Sequence, residues 1–195
     1  MSEPASIPIL ASASPRRREL LGGLGVRFEV MTAEVAELDG QTSPQLAPFE
    51  VAQENARRKA ATVAILRPGR WILGADTMVA LHGRLFGKPA SIDEAREFLR
   101  ALSGHTDEVI TGCALRSPEG AEKILQEISH VTFRELTDVI IERYLAEVNV
   151  LDKAGAYAVQ EHGAWIIERV EGSRDNVIGL PTERLGELLR MRGLP

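Results

Sequence analysis

The sequence predicts a single α/β domain over residues 1–195, on three observations. Short β-like apolar runs alternate with amphipathic helical stretches, no Pro-, Ser- or Gly-rich linker is long enough to divide that alternation, and the length is that of one ordinary domain. A hydrophobic share of 44% with 26% charged residues can bury a core and excludes disordered, collagen-like and fibrous classes.

Each element follows in order. Residues 7–11 read as a buried first strand. Ser14 then caps a helix with Pro15 at its first position, Leu20, Leu21 and Leu24 on its inner face, and the Gly22-Gly23 pair closing it. Residues 27–32 alternate like a second strand, residues 34–48 are polar with two prolines and suit a surface loop, and a helix follows over 49–66. Residues 71–75 and 78–81 read as strand segments, with His82-Gly83 turning the chain back into 84–86.

Ser91 and Glu94 stand at capping-box spacing before a stripe of Ile92, Ala95, Phe98, Leu99 and Leu102, which predicts a helix. Two strands, 108–116 and 123–133, flank the turn at residues 117–120, and a helix from Asp138 carries Ile140, Ile141, Tyr144, Leu145 and Val148. Residues 164–170 are expected to form the last strand, and 182–191 a closing helix.

Charge and motifs narrow the chemistry. With 23 Lys+Arg against 28 Asp+Glu the chain has no overall basic footprint for a nucleic-acid polymer. The single cysteine, Cys113, excludes an internal disulfide framework and a multi-cysteine zinc site. The first ten residues lack a signal-peptide pattern, and no apolar stretch approaches the ~20 residues of a membrane span, so a soluble cytoplasmic protein without membrane partners is expected. The segment from Gly83 to Pro89 has the wrong glycine spacing for a P-loop and a proline where Ser or Thr is needed. There is no dinucleotide fingerprint, no G-x-S-x-G elbow and no H-E-x-x-H helix, and His82, His105, His130 and His162 lack metal-ligand spacing.

The informative residues are those that break their local pattern. Lys59 shares a helix face with Ala52, Ala56, Ala60 and Val63, so its ammonium must snorkel outward or meet an anion. Asp76 follows the apolar run 71–75, which predicts a carboxylate at a strand end, where open α/β sheets bind ligands. Lys88 sits between Gly87 and Pro89 in a stiffened turn. Arg16 and Arg17 lie at a helix N-terminus, against the dipole, unless they splay outward or an anion such as phosphate sits there. Two further polar loops, 152–157 and 172–181, add Lys153, with Gln160 nearby as an amide able to contact a base. Cations gathered with carboxylates suit a polyphosphate and a divalent cation.

These segments, taken in order, resemble the Maf family (septum formation inhibitor proteins), which are nucleoside triphosphate pyrophosphatases. The resemblance rests on Leu10-Ala11-Ser12-Ala13-Ser14-Pro15-Arg16-Arg17, Glu37, Asn55-Ala56-Arg57-Arg58-Lys59-Ala60, Gly74-Ala75-Asp76-Thr77, Gly87-Lys88-Pro89, Leu102-Ser103-Gly104, Val109-Ile110-Thr111-Gly112, Asp152-Lys153-Ala154-Gly155-Ala156-Tyr157 and Asn176-Val177-Ile178-Gly179-Leu180-Pro181.

It implies a mixed twisted sheet flanked by helices with a nucleotide cleft, like that of inosine triphosphatases. It also implies Mg²⁺- or Mn²⁺-dependent cleavage of a nucleoside triphosphate between the α and β phosphates, and a homodimer. On the same resemblance Asp76 is the proton acceptor, Lys59 and Lys88 are catalytic, Ser12, Arg16, Arg17 and Lys153 hold the phosphates, and Glu37 with Asp76 holds the metal. Arg16, Thr77 and Gln160 are similar to the subgroup acting on dTTP and UTP, the alternatives being modified nucleotides such as 7-methyl-GTP or a nucleotide-binding regulator of septum formation with little catalysis. Two positions depart from the pattern: Ala36, where relatives often carry a second acid, and Asp107, where they commonly carry histidine.

Overall fold

The computed structural model describes residues 7–32, 34–40 and 42–194. Among them, seven strands form one mixed sheet: β1 (Ile9–Ala11), β2 (Glu29–Val30), β3 (Ile72–Leu81), β4 (Arg84–Phe86), β5 (Thr106–Arg116), β6 (Glu122–Phe133) and β7 (Ile167–Glu171). The order is β2-β1-β3-β5-β6-β7, with β4 paired to β3. β1 runs parallel to β2 and β3, while β3, β5, β6 and β7 pair antiparallel. The helices are α1 (Pro15–Gly23), α2 (Pro48–Leu66), α3 (Ile92–Leu102), α4 (Asp138–Glu147), α5 (Gly163–Ile166), α6 (Arg174–Ile178) and α7 (Thr182–Met191). None of the described helices is long and apolar enough to cross a membrane.

The period-2 alternation of the central strand sorts its side chains between two layers. Ile72 packs with Ala56, Ala60 and Val63 of α2, whereas Leu73 and Ala75 pack with Leu21 of α1 and with Leu185, Leu188 and Leu189 of α7. A third cluster, built from Phe98, Leu99, Phe133 and Tyr144, fills the space between the far half of the sheet and α3 and α4.

Two glycines set how closely α2 can approach. A Cβ at Gly74 would sit inside contact distance of the Ala56 carbonyl oxygen, and one at Gly112, on the neighbouring strand, would lie 2.8 Å from the Ala52 carbonyl carbon. α2 therefore lies with its backbone almost on β3 and β5, which no residue with a side chain at those two positions would permit.

Most expected elements are present, with shifted bounds. Ser14, Ser91 and Thr137 cap their helices as N-cap hydroxyls accepting a backbone N–H. Glu94 reaches the Ala90 N–H instead of the Ser91 N–H, so the spacing signals the helix start without a reciprocal box. The second strand shrinks to two residues, and the last strand begins at Ile167 because the residues before it form the short helix α5.

One correction bears on function. Residues 72–81 form a single strand, and Asp76 lies in its middle, opposite Gly112. The polar pair Asp76-Thr77 reads as a strand break, yet each residue finds partners on its own face, so the hydrogen-bonded ladder runs straight through.

Candidate active site

A cleft of about 520 Å³ opens where the N-terminus of α1, the loop before α2, the middle of β3, the turn after β4 and the segment after α4 meet. Ser12, Arg16, Arg17, Glu37, Lys59, Asp76, Thr77, Lys88, Lys153 and Gln160, every site residue expected from the sequence, line it.

On the α2 side of β3 the charges pair with one another. Lys59 is buried in the apolar stripe of α2 and does not snorkel: its Nζ lies 2.6 Å from Asp76 Oδ1 and 2.7 Å from Glu37 Oε1. The Asp76 carboxylate is itself buried, and Asn55 Nδ2 donates to its other oxygen at 3.0 Å. Lys88, on the exposed turn after β4, approaches Glu37 at 3.7 Å. Partial burial alone would raise the Glu37 carboxyl, but the charge and hydrogen bond of Lys59, followed by Lys88 and Arg17, hold it below the usual carboxylate range.

The opposite side of the strand is built differently. Arg17 curls from α1 beneath the cleft, donating from Nε to the Gly179 carbonyl at 2.9 Å, from one terminal nitrogen to Ser12 Oγ at 3.2 Å and from the other to Thr77 Oγ1 at 3.0 Å. All three acceptors are neutral, and Arg17 makes no ion pair with another described residue. Desolvation lowers its pKa against the opposing charge of Asp76, the first of several acidic groups that raise it.

The direction of the hydroxyl protons follows from the partners. Thr111 Oγ1 donates its one proton to the Asn176 carbonyl at 3.0 Å, so it must accept from Thr77 across their 3.0 Å contact. Thr77 therefore has no proton left to offer a ligand. Ser12 Oγ accepts from Arg17 and from the Ser14 N–H at 3.3 Å, which leaves its own proton available to the cleft.

At the rim, Arg16 pairs with Asp152 at 2.8 Å, while Lys153 reaches Asp152 at 3.0 Å, Glu161 at 3.2 Å and the Asn149 carbonyl. Burial opposes ionisation of Asp152, but hydrogen bonds from Arg16 and Lys153 lower its pKa. These two cations are thus neutralised by acids beside them, which the spacing of the sequence did not indicate. Gln160 stands exposed at the cleft edge.

Sequence reasoning left Asn55, Thr111 and Asn176 without a role. Asparagines on an otherwise apolar helix face, like Asn55, are the available signal, because such a group needs a partner when buried. Neither of the two departures lines the cleft. Ala36 offers only its carbonyl, taken by Arg58 at 3.3 Å. Asp107 does not line the cleft: it is fully buried behind it and accepts from Tyr157 Oη at 3.0 Å, and Tyr157 forms part of the cleft wall. Burial raises the Asp107 pKa to about 7, against the lowering effect of the bonds from Tyr157 and the Val131 backbone.

Comparison with known proteins agrees with this architecture. The fold is similar to the Staphylococcus aureus Ham1 protein, with a TM-score of 0.55 at 15% identity, covering 95% of this chain and 98% of that one. It is likewise similar to a HAM1 protein from Coxiella burnetii, with a TM-score of 0.53 at 16% identity, covering 94% and 98%. In sequence, the chain is 47% identical to the dTTP/UTP pyrophosphatase of Akkermansia muciniphila, covering 95% of this chain and 96% of that one. It is 44% identical to the dTTP/UTP pyrophosphatase of Deinococcus radiodurans, covering 99% and 96%. The profile of the family described as Maf-like protein matches residues 8–192, a span that includes every side chain of the cleft named above, and the chain therefore belongs to the Maf family.

Proposed function

We propose that this chain is a pyrophosphatase that hydrolyses dTTP and UTP to the monophosphate and pyrophosphate, a housekeeping step of nucleotide pools. The observation that carries this reading is Arg17, a desolvated guanidinium facing neutral acceptors in a cleft that also gathers Lys59, Lys88, Glu37 and Asp76. A half-buried cation that faces only neutral acceptors is stabilised by an anion, and an arginine fork suits phosphate oxygens. The names of the relatives reported above supply the nucleotides.

In the reaction a water oxygen bonds to the α-phosphorus, the bridging oxygen leaves with the pyrophosphate, and the water's proton passes to a base. Asp76 is the acceptor in this reading, because each of its oxygens has one of two lone pairs engaged, by Lys59 or by Asn55. Arg17, Lys88 and the free Ser12 hydroxyl hold phosphate oxygens, while Arg16 and Lys153 do so after exchanging an acidic partner for the substrate.

Glu37 and Asp76 suit a divalent cation. Both carboxylates already converge on one cationic group, Lys59, and one or two carboxylates supplemented by phosphate oxygens is a habitual Mg²⁺ donor set. Among the described residues no group of three His, Cys, Asp or Glu side chains is gathered, so a cation held by Glu37 and Asp76 would take its remaining donors from substrate and water. Mg²⁺ or Mn²⁺ held there would supply charge neutralisation and lower the pKa of water.

The test is pyrophosphate release across canonical and modified triphosphates, with and without chelator. dTTP and UTP should rank first, with activity lost on chelation. Release from 7-methyl-GTP above both, or tight triphosphate binding without pyrophosphate release, would overturn the assignment. Gln160→Ala should reorder the base preference more than it weakens phosphate binding, as read from kcat/KM over the same panel.

A further inference from the structure

Asn55 is 1% exposed, and both hydrogens of its amide and its oxygen are hydrogen-bonded. Oδ1 accepts the Leu38 N–H at 2.7 Å, while Nδ2 donates to the Leu38 carbonyl at 3.0 Å and to Asp76 Oδ2 at 3.0 Å. The amide has only one orientation open to it: a backbone N–H can only donate and a carbonyl can only accept, which fixes oxygen and nitrogen. Leu38 directly follows Glu37, in a segment that carries no strand or helix between β2 and α2 among its described residues. One side chain on the rigid helix α2 therefore grips the peptide next to Glu37 and one oxygen of Asp76.

From this juxtaposition we propose that Asn55 is a positioning residue for the reaction: it holds the Glu37 segment in register over Asp76 and Lys59, so that the two carboxylates face one point in the cleft. The bidentate grip on Leu38 supplies the register, because it takes the N–H and the carbonyl of one residue, and a slip of one residue would break both contacts. The bond to Asp76 ties that register to the strand and leaves Oδ1 to Lys59. The catalytic part of this inference rests on the pyrophosphatase reading; the mechanical part does not.

Hydrogen exchange resolved at the Leu38 amide and steady-state kinetics test the two parts separately. In the unaltered protein without nucleotide, the Leu38 amide should be protected well above the amides of residues 34–37 and 40, Asp39 being set aside because its N–H donates to Thr42 Oγ1. Equal exchange along that segment would overturn the grip, with no variant needed. Asn55→Ala should speed Leu38 exchange by about tenfold or more while α2 stays protected, and lower kcat by about tenfold with KM for dTTP changed less than threefold. Asn55→Asp keeps the size and the acceptor for Leu38 N–H but loses both donations. It should therefore preserve part of the Leu38 protection while lowering kcat at least as far. Loosened Leu38 with unchanged kcat would overturn the positioning role. If the unaltered protein releases no pyrophosphate from any triphosphate, the functional reading fails while the exchange result still judges the grip.

Discussion

Asp76 and Thr77 are consecutive in β3, yet their two sides of the strand solve the burial of charge in different ways. On the α2 side, Lys59 sits between Asp76 and Glu37, and each charge has a counter-charge within 2.7 Å. On the other side Arg17 meets only hydroxyls and a carbonyl. The first arrangement sets one cation against two carboxylates, with Lys88 3.7 Å from the second of them, and its side chains can exchange partners when a phosphate arrives. The second is a charge held ready by neutral dipoles that cost little to desolvate. A site that grips a polyanion benefits from both, because fully paired cations bind weakly and fully unpaired ones destabilise the fold.

The largest difference between the two sides should appear in turnover. Asp76→Asn, nearly isosteric, should lower kcat by about 10²–10⁴ with the fold retained, since Glu37 still pairs Lys59. Thr77→Val should remove one hydrogen bond from the Arg17 guanidinium, about 1.5–3 kcal/mol, and one neutral bond to Thr111, about 0.5–1.5 kcal/mol, without touching the proton acceptor. Equal losses of kcat in the two variants would erase the distinction. Gly74→Ala strikes the geometry that brings α2 to the strand, and should cost about 3 kcal/mol or more in denaturant unfolding, because the clash is with the Ala56 backbone and cannot be relieved by a side-chain rotation.

A pH experiment probes the support behind the cleft. The Asp107 pKa of about 7 lies well above the ordinary aspartate range near 3.8, so between these values the folded state binds more protons than the unfolded one, and the stability contributed by this group falls as pH rises through that window. Asp107→Asn removes the dependence. The stability difference, variant minus parent, should therefore grow by about 2–3 kcal/mol from pH 5 to pH 8 in matched urea melts. A difference independent of pH would mean that Asp107 is not desolvated as described. Lys59→Met removes the ammonium shared by Asp76 and Glu37 and should lower kcat/KM by roughly tenfold or more. Unchanged kinetics would mean that the pairing of Lys59 with the two carboxylates does not serve turnover.

Much of this was legible in the chain. The cap at Ser14, the stripe from Ala95 to Leu102 and the closing helix at 182–191 are local patterns, fixed by residues within a turn or two of each other, and they appear where the patterns put them. Lys59 was legible as an anomaly because the 3.6-residue period puts it among alanines. The continuity of β3 through Asp76 was not, since a polar pair ends a strand unless distant residues receive each side chain, and those receivers lie on α2, α1 and β5. The neutralised rim was equally hidden, because Asp152 meets an arginine 136 positions earlier in the chain.

The sequence by itself determined the elements, the stripe that holds Lys59 and the family to which the chain belongs. Only the tertiary structure decided which charges are paired and which stand ready. Local pattern depends on neighbours a few residues away, whereas the free energy of a buried charge depends on what the folded chain brings within about 3 Å of it.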